Sequence, residues 1–182
     1  MIMGKTFFIA DTHFGHDAII RYENRPFANA DEQDKVLIEN WNNVVTDEDE
    51  VFLVGDFSAY DKEKNTEIVK SLKGHKILVM GNHDTEDPQY YLDCGFDEVY
   101  RFPVLWKGFF LVSHEPLYLN SNMPYANIYG HVHANPSYKD ASTQSFCVSV
   151  ERLNYTPVPM ESIGAAMAKA RAAAGERSVK NK

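Results

Sequence analysis

Three short apolar runs frame the first half of the chain. Thr6-Phe7-Phe8-Ile9-Ala10, Val51-Phe52-Leu53-Val54 and Lys76-Ile77-Leu78-Val79-Met80 read as buried strands. Between them the pattern turns helical. Residues 31–45 place Leu37, Trp41, Val44 and Val45 on one face, with Asp31 at the N-cap and Asp34 in the first turn. Residues 62–72 are also helical in pattern, and Gly74 suits a C-cap. This half therefore reads β-α-β-α-β. A short helix is expected over 88–92. Beyond it, 97–102, 104–106, 109–113, 127–129 and 145–151 read as strands with few helical residues between them. Residues 160–174 are rich in Met and Ala and helical, with Glu161 and Ser162 near the start. No repeat or linker divides the chain, so one domain is expected over 1–174. Residues 175–182 are expected to form a flexible basic tail.

The strands end on polar clusters. These are Asp11-x-His13, Gly55-Asp56, Gly81-Asn82-His83-Asp84, Ser113-His114 and Gly130-His131-Val132-His133. Open α/β sheets bind ligands at the carboxyl ends of their strands, so these clusters should converge on one edge. Of the seven histidines, six lie at or beside these ends and only His75 lies outside. A lone histidine is more often a satisfied polar residue than a ligand. Six of them mixed with Asp11, Asp56, Asp84 and Asn82 are hard to explain that way. Carboxylate, imidazole and amide oxygen together suit manganese, iron or zinc. Residues i and i+2 of a strand share a face, so Asp11 and His13 could hold one ion, as could His131 and His133. A tight turn would instead split such a pair between two ions. Glycines at 55, 81 and 130 would let the backbone bend where the side chains meet. The spacing predicts a dinuclear site.

Composition sharpens this picture. The chain has 182 residues and a formal charge of −8. Residues 31–50 alone carry −7, which reads as a helix start, a solvated face and a turn. The last fourteen residues carry +4. No broad basic face is evident, so long nucleic acid is not the expected partner. An acidic protein handling an anionic substrate must obtain positive charge elsewhere, and metal ions are one source. Cys94 and Cys147 are too few for a disulfide framework, which points to a reducing compartment, the cytoplasm. The first residues, Met1-Ile2-Met3-Gly4-Lys5, lead straight into a strand with no signal-peptide pattern. No run of 18 apolar residues exists to span a membrane.

The order D-x-H, G-D, G-N-H-D, H, G-H-x-H resembles the calcineurin-like metallophosphoesterases over roughly residues 6–150. The resemblance implies an α/β fold, a four-layer α/β/β/α sandwich of two mixed β-sheets flanked by helices. It implies two divalent metal ions, manganese first, with iron, zinc, nickel or magnesium as alternatives. Asp11, His13 and His133 would hold the first ion. Asn82, His114 and His131 would hold the second, and Asp56 would bridge both. Such a pair can clamp a phosphate and activate a bridging hydroxide for in-line attack. His83 would protonate the leaving oxygen.

Departures from the family pattern narrow the reading. The Ser/Thr protein phosphatases carry an acid that orients the catalytic histidine and arginines that grip phosphate. Here Ala59, Tyr60 and Met80 stand at those places. The chain thus looks more like the small bacterial and phage phosphodiesterases, acting on a phosphate-ester small molecule or nucleotide. Asp84 could replace the orienting acid, which makes it a catalytic candidate beside His83. His16 reads as a substrate-phosphate contact, a support for a ligand, or the N-cap region of a short helix. Arg25 reads as a phosphate-binding guanidinium or a surface-loop arginine, and Asn82 could also touch substrate. Trp41 and Trp106 read as core. Tyr90, Tyr91, Tyr118 and Tyr125 could line a base-stacking pocket. The alternatives in function are a non-catalytic metal-binding scaffold on this fold and a metal-dependent nuclease.

Overall fold

The computed structural model describes residues 4–120 and 122–180. In chain order its elements are β1 (Thr6–Ile9), α1 (Asp17–Tyr22), α2 (Ala30–Val44), β2 (Glu50–Leu53), α3 (Lys62–Ser71), β3 (His75–Val79), α4 (Pro88–Cys94) and β4 (Glu98–Tyr100). There follow β5 (Val104–Trp106), β6 (Phe110–Ser113), β7 (Ala126–Tyr129), β8 (Ser145–Cys147), a 3₁₀ turn (Val150–Arg152), β9 (Val158–Pro159) and α5 (Met160–Lys180). Five strands form one sheet in the order β4-β3-β2-β1-β9, and four form a second in the order β5-β6-β7-β8. The first four strands pair in parallel and β9 joins antiparallel. In the second sheet β6, β7 and β8 are parallel and β5 antiparallel.

Successive side chains of a strand point to opposite faces. Phe7, Ile9, Val51 and Leu53 accordingly face α2 and α3, packing with Leu37, Trp41, Ile68 and Val69. Their neighbours Phe8, Ala10, Phe52 and Val54 face the second sheet, packing with Val112, Ile128, Phe146 and Val148. The central strands are buried on both faces, which is why they read as unbroken apolar runs. Phe8 stacks on Phe52 with centroids 5.1 Å apart, and Trp106 meets Phe8 edge-on. Helix α5 packs at the edge shared by the two sheets. It sets Ile163 and Met167 into the layer between the sheets and meets β1, β8 and β9.

Several element boundaries differ from those the pattern predicts. The N-cap of α2 is Asn29, whose side chain accepts from the Glu32 amide, while Asp31 lies inside the helix. Val44 turns partly to solvent, leaving Leu37, Trp41 and Val45 as the buried anchors. Gly74 is not the cap of α3, which ends in extended Leu72; its φ of +86° serves the next turn. The strand expected over 145–151 ends at Cys147 and passes into the 3₁₀ turn. Helix α5 continues to Lys180, so most of the expected tail is helical. Residues 181–182 of that tail, and residues 1–3 at the other end, lie outside the described residues. The aromatic group also disperses, with Tyr91 in the core and Tyr118 exposed.

The acidic stretch is not all solvated. Asp34 and Asp49 are buried. Asp49 accepts from the Lys5 amide at 2.7 Å, the Thr46 amide at 2.7 Å and the Thr46 hydroxyl at 2.9 Å. Burial pushes its carboxyl up, but these donors outweigh burial and hold the pKa below the ordinary 3.8. A depressed folded-state value means stability that is present above the unfolded value and lost as pH falls through the folded one. Asp49→Asn should therefore cost about 1–2 kcal/mol at neutral pH, where charged hydrogen bonds are lost. It should also flatten the loss of stability below about pH 4, read by urea denaturation across pH.

Candidate metal centre

The carboxyl ends of the strands meet at one edge. Beyond β1, Ala10 donates to Val148 at 2.8 Å and accepts from Val150 at 3.1 Å, which joins the two sheets there. Gly130, beyond β7, donates to the carbonyl of His114 beyond β6 at 2.9 Å. The chain then turns in an unusual way. Asp11, His13, Asp56, His131 and His133 all adopt left-handed backbone conformations, with φ of 60°, 46°, 57°, 69° and 46°. For side chains of this kind such conformations cost on the order of 1 kcal/mol each and persist only where the surroundings enforce them. The Asp11-x-His13 and His131-x-His133 segments are thus turns, and the shared strand face expected for i and i+2 does not apply.

The glycines serve closeness more than bending. Of the three at the site, only Gly55 has a positive φ, of +84°. A side chain at Gly81 would overlap Asp56 and His114, and one at Gly130 would overlap Ala10 and Asp11. The strand-end turns press against one another where these glycines sit.

Two groups of ligand atoms result, each converging within 4.8 Å. One contains Asp11, His13, Asp56 and His133; the other contains Asp56, His114 and His131. Asp56 belongs to both. Its Oδ2 lies 3.5 Å from His13 Nε2 and 3.3 Å from His114 Nε2. Asn82 adds an amide oxygen to the second group, 3.0 Å from His114 Nε2 and 2.9 Å from His131 Nδ1. His131 Nδ1 and His114 Nε2 face each other at 3.1 Å. His131 and His133 fall in separate groups, as a tight turn allows.

The electrostatics of this cluster call for cations. Asp11 and Asp56 are buried, and among the described residues their ion-pair partners are all histidines. Burial pushes the Asp11 carboxyl up. Burial also raises Asp56, but a hydrogen bond and the charge of His114 outweigh it and bring the pKa to about 2. His114 is the counterpart: burial lowers it, yet Asp56 and Asp11 push it up to about 9. Burial holds His13 down to about 3. A neutral His13 is a ready ligand, and its buried Nε2 has no hydrogen-bond partner. Hard and borderline donors around buried negative charge, with an orphaned imidazole nitrogen, fit two divalent ions.

A family model for the calcineurin-like phosphoesterases matches residues 4–156. The chain belongs to this family. An uncharacterised protein of Methanocaldococcus jannaschii is 38% identical over 171 residues, covering 90% of this chain and 91% of that protein. The Gene 66 protein of Mycobacterium phage L5 is 30% identical over 47% of this chain and 42% of its own length. Among solved structures, a protein of unknown function from Aquifex aeolicus superposes with a TM-score of 0.69 at 30% identity, covering 89% of this chain and 98% of that one. The nuclease MPE of Pseudomonas putida superposes with a TM-score of 0.50 at 19% identity over 70% of this chain and 61% of that one, a likeness of fold.

Within this site Arg25 and Asp84 sit differently from their expected roles. Arg25 is neither on a surface loop nor free to grip phosphate. It is buried, and its guanidinium donates to Glu151, Gln33 and the carbonyls of Asp11 and Thr12. Asp84 does not orient His83 in this structure; its carboxylate accepts from the amides of Asp56, Phe57 and Gly81 at 2.8, 3.0 and 2.8 Å. It ties two strand-end turns together. His16 occupies the N-cap position of α1 without capping it, while its Nδ1 lies 3.5 Å from His13 Nδ1. Its two expected positions are thus one place. His83 is exposed, with its ring centroid 5.3 Å from that of His13 and its amide donating to Asp56 Oδ1 at 2.9 Å. Glu151, Gln33 and Arg152 were not visible as site residues in the sequence. They come from a 3₁₀ turn and a helix that carry no motif.

Gly81→Ala tests the closeness of the turns. It should destabilise the fold by ~1–3 kcal/mol through overpacking. It should also weaken Mn²⁺ binding by displacing Asp56. Urea denaturation and calorimetric titration measure both, and no change in either would mean the turns have room to spare.

Proposed function

We propose that the protein is a dinuclear metal-dependent phosphodiesterase with His83 as the acid for the leaving group. The observation that carries this reading is Asp56. It belongs to both ligand groups, and the same carboxylate holds the His83 amide at 2.9 Å. Two divalent ions held there would supply charge for the phosphate and a water-derived nucleophile at neutral pH.

The chain's own residues divide the remaining work. Asp11, His13 and His133 would hold one ion, Asn82, His114 and His131 the other, and Asp56 would serve both. His83, fixed by its backbone beside the cluster and open to solvent, gives its proton to the departing oxygen. His16, beside His13, and the exposed Asn82, beside His114 and His131, are the candidates to touch a substrate phosphate. A diester suits the site better than a monoester. A monoester brings a second negative charge, and Arg25, the guanidinium closest to the Asp11 turn, is committed to Glu151 at 2.7 Å. The substrate class is a phosphodiester of nucleotide size, and manganese is the first metal to try. Cys94 and Cys147 are buried and unpaired, which supports a cytoplasmic setting. Among the described residues no helix is long and apolar enough to cross a membrane.

With Mn²⁺ added, the protein should hydrolyse bis-p-nitrophenyl phosphate faster than p-nitrophenyl phosphate. Failure on both, and on a panel of cyclic nucleotides, dinucleotides and short oligonucleotides, would sink the reading. Asp56→Asn should abolish turnover and reduce the Mn²⁺ stoichiometry. His83→Ala should keep the metal and lose about 10²–10⁴-fold in turnover of a nucleotide diester. It should lose less with p-nitrophenolate, which leaves readily without a proton.

A further inference from the structure

We infer that Arg25 and Glu151 are positioning residues that preform the first ion position, the one lined by Asp11, His13 and His133. This rests on the two-ion reading of the cluster.

Glu151 stands on the 3₁₀ turn with its side chain 5% exposed. Its Oε1 accepts from Arg25 Nε at 2.9 Å and lies 3.0 Å from His133 Nδ1. A carboxylate paired with a guanidinium only accepts, so the imidazole hydrogen sits on Nδ1. His133 Nε2 is then the free lone pair, and the negative neighbour raises its basicity as a ligand. The next residue continues the grip: Arg152 Nε donates to the carbonyl of His133 at 2.6 Å.

Arg25 works on the other turn. Its NH2 donates to the Asp11 carbonyl at 2.8 Å and its NH1 to the Thr12 carbonyl at 3.1 Å. NH1 also donates to Gln33 Oε1 at 2.9 Å, and Gln33 Nε2 donates to the His13 carbonyl at 3.1 Å. All three carbonyls of Asp11-Thr12-His13 are thus held from behind by one network. The left-handed conformations of Asp11, His13 and His133 are what this network enforces.

The second position is backed differently. His131 and Asn82 are exposed, and its supports among the described residues are the Val54 carbonyl 3.0 Å from His114 Nδ1, the Gly130 amide donating to the His114 carbonyl at 2.9 Å and the His131 amide donating to the Asp11 carboxylate at 3.0 Å, with neither Arg25 nor Glu151 bonded to His114, His131 or Asn82. The two positions should therefore differ in how strongly they depend on Arg25 and Glu151. Glu23, His133 and Glu151 also converge within 4.8 Å and could be read as an ion site of their own. The guanidinium already beside Glu151 is the resident cation there, which argues against a third ion.

The test is a Mn²⁺ titration of the full metal-stripped chain, by calorimetry and electron paramagnetic resonance, for wild type, Glu151→Gln and Arg25→Lys. Either variant lowers the melting temperature of the stripped protein whatever the role, so the deciding readout is the difference between the two binding steps. The wild type should take two ions. In each variant one step should weaken about 10–100-fold, the usual cost of losing a group that orients a ligand, while the other holds. The resonance spectrum of the sample with one equivalent should change with it. If Glu151→Gln does not fold, Arg25→Lys is decided on the same criterion, because an ammonium cannot span four acceptors. Two unchanged steps in a folded variant, or both steps weakening together, would overturn the proposal. So would a third wild-type equivalent that disappears in Glu151→Gln. A wild type that takes no ions would overturn the two-ion reading itself.

Discussion

Two buried carboxylates dominate the physics of this protein. Asp11 and Asp56 sit at the ends of neighbouring parallel strands, away from water, with histidines as their ion-pair partners. Burying such charge is expensive unless a counter-charge is supplied. Among the described residues no lysine or arginine pairs with either carboxylate group. Imidazoles surround them, and their nitrogens can take either a proton or a metal ion. The carboxylates pull His114 up, while burial holds His13 down and leaves it a free lone pair.

That demand shapes the backbone around it. Five of the ligand residues occupy left-handed turns that cost energy locally. The two apolar layers, one under the helices and one between the sheets, supply the rigidity that keeps these turns in place. Hydrogen bonds across the edge finish the work. Ala10 couples the two sheets, Asp84 couples the turn at Asp56 to the turn at Gly81, and Arg25 with Gln33 holds the turn at Asp11. The ligand cluster sits on the rim of a stiff sandwich, a frame that can hold several strained residues in register.

The commitment of Arg25 also bears on substrate choice. A guanidinium spent on structure is not available to a phosphate, so under the proposed function charge recognition would fall to the ions and to nearby histidines. This joins the acidic surface and the anionic substrate without conflict. The excess of negative charge belongs to α2 and the turn after it, and even there Asp34 and Asp49 serve the fold, binding the Gly15 and Lys5 amides. Net charge describes the exterior; the local balance at the strand ends decides what can bind.

The residues that the structure gathers at the strand ends were legible in the chain itself. Apolar runs closed by Asp, His, Asn and Gly reveal strands whose ends bear ligands, because buried parallel strands need continuous apolar side chains and motifs sit next to one another in sequence. The longer helices and strands β1, β2 and β3 followed from periodicity for the same local reason. What periodicity could not reach depends on contacts between distant segments. Turns in place of extended segments at Asp11 and His131, and glycines chosen for closeness at 81 and 130, are decided by what lies opposite in space. Arg25 and Glu151 are 126 positions apart, and neither belongs to a motif. Their pairing exists only once the 3₁₀ turn has been brought against the first turn by the joining of the two sheets, and so the sequence determined which groups could bind while the tertiary structure decided which groups hold them in place.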